Sequence, residues 1–178
     1  VVAAGLKLDW AAIEGLETAL GKNGVTSNYR YDLAPYTWDL VQKMRGKEAI
    51  FTQPPMPIKC AGAPQKAMYL SCSTWTQAGK IKDINVSFCN AGPVLFGCAD
   101  YVPPLMEYVN SYGINLDFGH NLVKVDGPNQ TATFKVTKEG EEPQLIERKF
   151  DMLHVCPPQC APDFIKESPL ANEGGWMA

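Results

Sequence analysis

The chain has 178 residues with a net charge of −3; 46% are hydrophobic and 20% charged. That suffices for one domain with its own core and is the composition of a globular protein. The absence of a basic stripe argues against nucleic-acid binding, and no apolar run approaches the roughly 18 residues that a membrane-spanning helix needs.

In chain order, residues 1–30 read as a linker and lead-in segment, with flexible backbone expected over 21–28. Residues 36–44 are predicted to form a helix. Residues 49–52 (AIFT) form a short apolar run stopped by Pro54-Pro55, the pattern of a buried strand. After a turn over 56–62, the pattern becomes helical from Pro64, with Ala67, Met68, Leu70 and Trp75 as its apolar positions and Gly79 as its stop. Pro64 suits a first turn, where its missing N–H would have no intrahelical partner.

A strand follows over 84–89, alternating Ile84, Val86 and Phe88 with Asn85 and Ser87. Residues 101–112 make a second amphipathic helix, with Leu105, Met106 and Val109 inward. Strands are then predicted over 116–118, 121–125 and 131–137. Residues 145–148 pair back as a hairpin, and a last buried strand over 150–156 is ended by Pro157-Pro158. Residues 163–178 read as a flexible return segment.

Strand–helix–strand–helix–strand, then a meander and a return strand, predicts a single α/β domain over 1–178. Its class is Rossmann-like and three-layered, with a central, mostly parallel sheet and a β-meander. Neither end looks like a natural terminus: VVAAG opens without an initiator Met, and GGWMA stops without a cap. Both suggest a piece of a longer chain.

The chemistry concentrates in residues 57–66, PIKCAGAPQK, between the first strand and the first helix, where doubly wound folds place ligands. A dinucleotide-binding turn would carry GxGxxG there. Only Gly62 is present, beside a cysteine and a proline, so NAD(P) is not expected at this turn. Cys60 stands just before a helix N-terminus and next to Lys59, and both the helix dipole and the ammonium favour the thiolate. The plainer alternatives are a small buried residue in a tight turn for Cys60 and an ordinary exposed lysine for Lys59.

Six cysteines (Cys60, Cys72, Cys89, Cys98, Cys156 and Cys160) are an even number, yet a chain this rich in core residues needs no disulfide framework. Free thiols are expected, with Cys98 in the core. His154, Cys156 and Cys160 crowd onto one short loop and match no zinc-site spacing, so no metal is expected.

Several stretches together resemble the sulfide:quinone oxidoreductases, over nearly the whole chain and in order. They are residues 49–70 (AIFTQPPMPIKCAGAPQKAMYL), 24–29 (GVTSNY), Thr37-Trp38, 151–155 (DMLHV), Pro157-Pro158, Ser168-Pro169, Gly174 and Trp176. The resemblance implies the second Rossmann-like domain of a larger enzyme. FAD would be held mainly by a first domain outside this chain, and no residue here is assigned to binding it. Cys60 would be the redox cysteine facing the flavin, supported by Lys59, Gly62 and Pro64, with its partner cysteine beyond Ala178.

Sulfide would be the donor and quinone the acceptor. Peripheral membrane contact would come from a C-terminal region beyond this chain, while the piece itself would be soluble and inactive alone. Surfaces bared in such a piece could form a dimer.

The family pattern assigns no role to Cys156 and Cys160. They remain open as a second redox pair, a species-specific pair or packing residues. Other open readings are the flavoprotein subunit of flavocytochrome c sulfide dehydrogenase, another FAD-dependent pyridine nucleotide-disulfide oxidoreductase-like protein, and a non-catalytic Rossmann-like binding module. A type-II NADH dehydrogenase is disfavoured by the missing glycines.

Overall fold

The computed structural model describes residues 1–45 and 47–177. In chain order its elements are β1 Lys7–Leu8, α1 Leu16–Ala19, β2 Val25–Thr26, α2 Ala34–Lys43, β3 Glu48–Gln53, α3 Gly62–Gln77, β4 Asn85–Asn90, α4 Val102–Tyr112 and β5 Asn115–Phe118, followed by β6 His120–Asp126, β7 Thr131–Val136, β8 Gln144–Lys149, β9 Met152–His154, β10 Gln159–Cys160 and α5 Asp163–Lys166. Five strands form a parallel sheet in the order β2-β9-β3-β4-β5. β6, β7 and β8 form an antiparallel meander, and β1 pairs with β10. The return strand β9 therefore comes back between β2 and β3.

Period-2 alternation in the central strands builds the layers. Ala49 and Phe51 of β3, Val86 and Phe88 of β4 and Met152 of β9 pack with Val41 of α2, Met68, Cys72 and Trp75 of α3 and Val109 of α4. Their alternates, Ile50, Cys89 and Leu153, join Val25, Leu16 of α1 and the meander residues Leu122, Ala132 and Phe134 on the other face. The result is three layers: helices, parallel sheet, and meander with α1.

Local chemistry explains the helix ends. Pro64 is the third residue of α3, inside the turn whose N–H groups have no intrahelical acceptor. α4 likewise opens with proline in its first turn and stops at Gly113, in the left-handed region at φ +67. The Trp75 indole N–H donates to the Val41 carbonyl (2.9 Å) and so ties α3 to α2.

Four expectations need correction. Leu70 is 69% exposed; α3 buries Gln65 and Ser71 instead, beside Ala67, Met68, Cys72 and Trp75. Cys98 is exposed rather than in the core. It ends a Gly/Pro-rich loop, not a strand, so no alternation turns it inward, and Leu95 is the buried side chain of that loop. Residues 21–28 contain β2, whose Val25 and Thr26 are fully buried at the sheet edge beside β9. The last strand is only Met152–His154, because the chain leaves the sheet through Pro157-Pro158 to form β10. Among the described residues, no helix is long and apolar enough to cross a membrane.

Candidate active site

Parallel sheets of this kind offer ligands the edge formed by the C-terminal ends of their strands. Here β2 runs out into Ser27-Asn28-Tyr29, β3 into Gln53, and β9 into His154-Val155-Cys156. The loop 54–61 crosses this edge to reach α3. It carries Cys60, which is exposed and held at φ +61. A residue with a Cβ rarely adopts that backbone shape unless its surroundings impose it.

Those surroundings are specific. The Lys59 backbone N–H donates to Gln159 Oε1 (2.5 Å), and the Tyr29 hydroxyl donates to the Lys59 carbonyl (3.4 Å). The Cys60 carbonyl accepts from the Ala63 N–H (2.9 Å) at the start of α3. The Lys59 side chain is exposed, and its ammonium makes no hydrogen bond or ion pair among the described residues; Lys59 serves the loop through its backbone. Gly62 begins α3 with ordinary room, since a Cβ there would meet only the Phe96 ring at 3.9 Å. Pro64 is buried in the same first turn. The loop borders a cavity of about 320 Å³ lined by Gln53, Met56, Ala61, Phe96 and Cys98.

The structure gives Cys156 and Cys160 different neighbours and leaves all six cysteines as free thiols. Cys156 is buried, its N–H donating to Thr52 Oγ1 (3.2 Å). Burial pushes its thiol up to about 12, against a lowering contribution from the adjacent Tyr29 phenol. It is therefore protonated at neutral pH and a poor nucleophile. Cys160 lies on β10 beside the Lys166 ammonium.

Tyr29 is half-buried, and burial, then Cys156, then Cys60 push its phenol well above the ordinary range, so it remains a donor. His154 is fully buried, and desolvation lowers its pKa to about 4. Its Nε2 accepts the Asn28 N–H (3.0 Å), which leaves it a neutral histidine holding the end of β2 against β9.

Three side-chain atoms are buried without a hydrogen-bond partner among the described residues: Gln53 Oε1, His154 Nδ1 and Gln159 Nε2. All three residues lie at or beyond the C-terminal ends of β3 and β9, where polar groups left unpaired are costly. Sequence reasoning assigned no role to Tyr29, Gln53 or Gln159. The SNY of residues 27–29 was one available signal; Gln159, between two cysteines, had none.

A five-stranded parallel sheet with helices on one face and an antiparallel meander on the other defines a Rossmann-like α/β domain. The sequence narrows this: the chain is homologous to a stretch of the sulfide:quinone oxidoreductases. It is 40% identical over 174 residues to the mitochondrial enzyme of Dictyostelium discoideum, covering 97% of this chain and 37% of that one. Against the mitochondrial enzyme of Mus musculus it is 36% identical over 177 residues, covering 99% and 39%. The solved sulfide:quinone oxidoreductase of Aquifex aeolicus superposes with a TM-score of 0.72 at 14% identity, over 95% of this chain and 38% of that chain, which shows a shared fold. No family model matches. The chain spans less than two fifths of the length of these relatives.

Proposed function

We propose that this chain is the cysteine-bearing second domain of an FAD-dependent sulfide:quinone oxidoreductase and that Cys60 is one of its redox cysteines. One observation carries the reading: similarity to the mitochondrial enzymes runs along the whole chain, and within it an exposed cysteine stands on the ligand edge of the sheet.

The chemistry is a sulfur exchange. Sulfide attacks a disulfide between Cys60 and a second cysteine located beyond residue 178. The old S–S bond breaks and a new one forms to the incoming sulfur. One cysteine then carries a persulfide and the other leaves as a thiolate, so the two electrons given up by sulfide have passed to the cysteines. A nucleophilic acceptor takes the outer sulfur of the persulfide and leaves that cysteine as a thiol; FAD, when bound, would take two electrons from the two thiols and so restore the disulfide, and quinone takes up two electrons and two protons at the end.

The residues of this chain suit such a role. Cys60 is open to attack, whereas Cys156 is buried and protonated, so of these two Cys60 is the one suited to exchange. Gln53 offers an unpaired acceptor and Gln159 an unpaired donor at the same edge, a complement to the polar rim of a flavin ring held mainly from outside this chain. The β3–α3 turn, with Gly62 alone, lacks the glycines that bring a pyrophosphate close to the backbone, which supports a domain without NAD(P). In this reading the full-length protein meets its lipid-soluble quinone at a membrane surface, through a region beyond this chain.

The test is sulfide-dependent reduction of a soluble quinone by the full-length protein beside Cys60→Ser. Turnover in the parent and its near-complete loss in the variant are expected. Turnover that survives the substitution moves the chemistry to other cysteines, Cys156 and Cys160 first; no sulfide oxidation by the FAD-loaded parent overturns the assignment.

A further inference from the structure

We infer that Tyr29 and Gln159 are positioning residues for Cys60: they hold the two sides of the Lys59 peptide and so fix where the neighbouring thiol stands. The inference rests on the reading of Cys60 as a redox cysteine.

Cys60 is exposed, and its side chain makes no hydrogen bond among the described residues. Its left-handed backbone shape must therefore be imposed from outside. The contacts that impose it fall on the peptide before it and on its own carbonyl. Gln159 Oε1 takes the Lys59 N–H at 2.5 Å, the stronger hold, and the Tyr29 hydroxyl reaches the Lys59 carbonyl at 3.4 Å, the weaker one. The Ala63 N–H fixes the Cys60 carbonyl from the far side.

Both clamp residues are themselves anchored. Gln159 is 8% exposed and sits opposite Leu8 in the β1–β10 pair. The Tyr29 N–H donates to Ser27 Oγ (3.1 Å), and its hydroxyl stands beside the Cys156 thiol. A cysteine that must exchange sulfur with a partner and then face a cofactor needs a fixed position, because small misplacements of a reacting group are costly in rate.

The test uses the full-length protein with Gln159→Leu, Gln159→Glu and Tyr29→Phe beside Cys60→Ser. Three quantities are read: sulfide-dependent kcat and KM, the unfolding midpoint, and the pH profile of iodoacetamide labelling at Cys60 in protein first reduced to its free thiols. Gln159→Leu should lower kcat between about 10- and 100-fold with KM nearly unchanged, and it should displace the labelling profile. Gln159→Glu, which keeps an oxygen acceptor for the Lys59 N–H but removes the Nε2 donor, should recover the loss only in part. Tyr29→Phe should act in the same direction as Gln159→Leu but more weakly, with little change in unfolding midpoint, since the ring remains.

Parental kcat and a parental labelling profile in both Gln159→Leu and Tyr29→Phe would overturn the clamp. If Gln159→Leu does not fold, Tyr29→Phe decides. Turnover that survives Cys60→Ser sinks the reading of Cys60 instead. The labelling profile then judges the clamp alone: displaced supports it, unchanged overturns it.

Discussion

At the scale of single residues, the proposed role of Cys60 opposes stability. Its φ of +61 costs a residue with a Cβ roughly 1–2 kcal/mol, and glycine almost nothing. Cys60→Gly is therefore expected to raise stability by about 1 kcal/mol while removing sulfide oxidation; a urea midpoint that rises as turnover disappears checks it. His154 gives the pH dependence. Its folded-state pKa of about 4 lies below the ordinary 6.5, so the unfolded chain binds the extra proton first as pH falls. The stability tied to neutral His154 is complete above about pH 6.5 and is lost as pH drops toward 4, by at most roughly 3 kcal/mol. His154→Gln should flatten that acid limb in denaturant titrations run across this window; an unchanged limb would assign it to other groups.

At the scale of elements, the start of β2 depends on one glycine. Gly24 lies at φ +82, and a Cβ there would stand 2.3 Å from the Asp151 carbonyl oxygen. Asp151 in turn holds the start of β3, its Oδ2 accepting the Lys47 and Glu48 N–H groups at 2.8 and 2.9 Å. Gly24→Ala should thus disturb the junction of β2, β9 and β3 and cost roughly 1–3 kcal/mol, measured as a fall in ΔG of unfolding in urea. Elements with several turns or full alternation, such as α3, α4, β4 and β7, were legible in the sequence because their patterns repeat. β2 and β10 are two residues long, too short to show a period, and they exist only because a partner strand is waiting.

At the scale of the whole molecule, the parallel sheet and the meander are joined by a polar tie as well as by their shared core. Arg148 of β8 donates to Asp117 of β5 (2.6 Å) and to Ser87 of β4 (2.8 Å), with the Cys89 sulfur at 3.4 Å. Both charged side chains are mostly buried, at 21% and 28% exposure. Arg148→Leu should cost roughly 1–3 kcal/mol by leaving Asp117 without its partner, and Asp117→Leu added to it should recover part of the loss. A double-mutant cycle in urea measures both, and additive losses would show that the tie is not coupled.

The sequence by itself determined the layers and singled out the turn proposed to carry the chemistry. Alternation in residues 84–89, the prolines that open helices and the glycines that close them, and a cysteine between a strand and a helix are all local, because periodicity and backbone preference act within a few residues. It could not bring Tyr29 or Gln159 to the Cys60 loop. These residues lie 30 and 100 positions from Lys59. They meet it because β9 inserts between β2 and β3 and β10 folds back on β1. That strand order is set by burial across both faces of the sheet, a property of the assembled chain, and it decided which side chains surround the thiol.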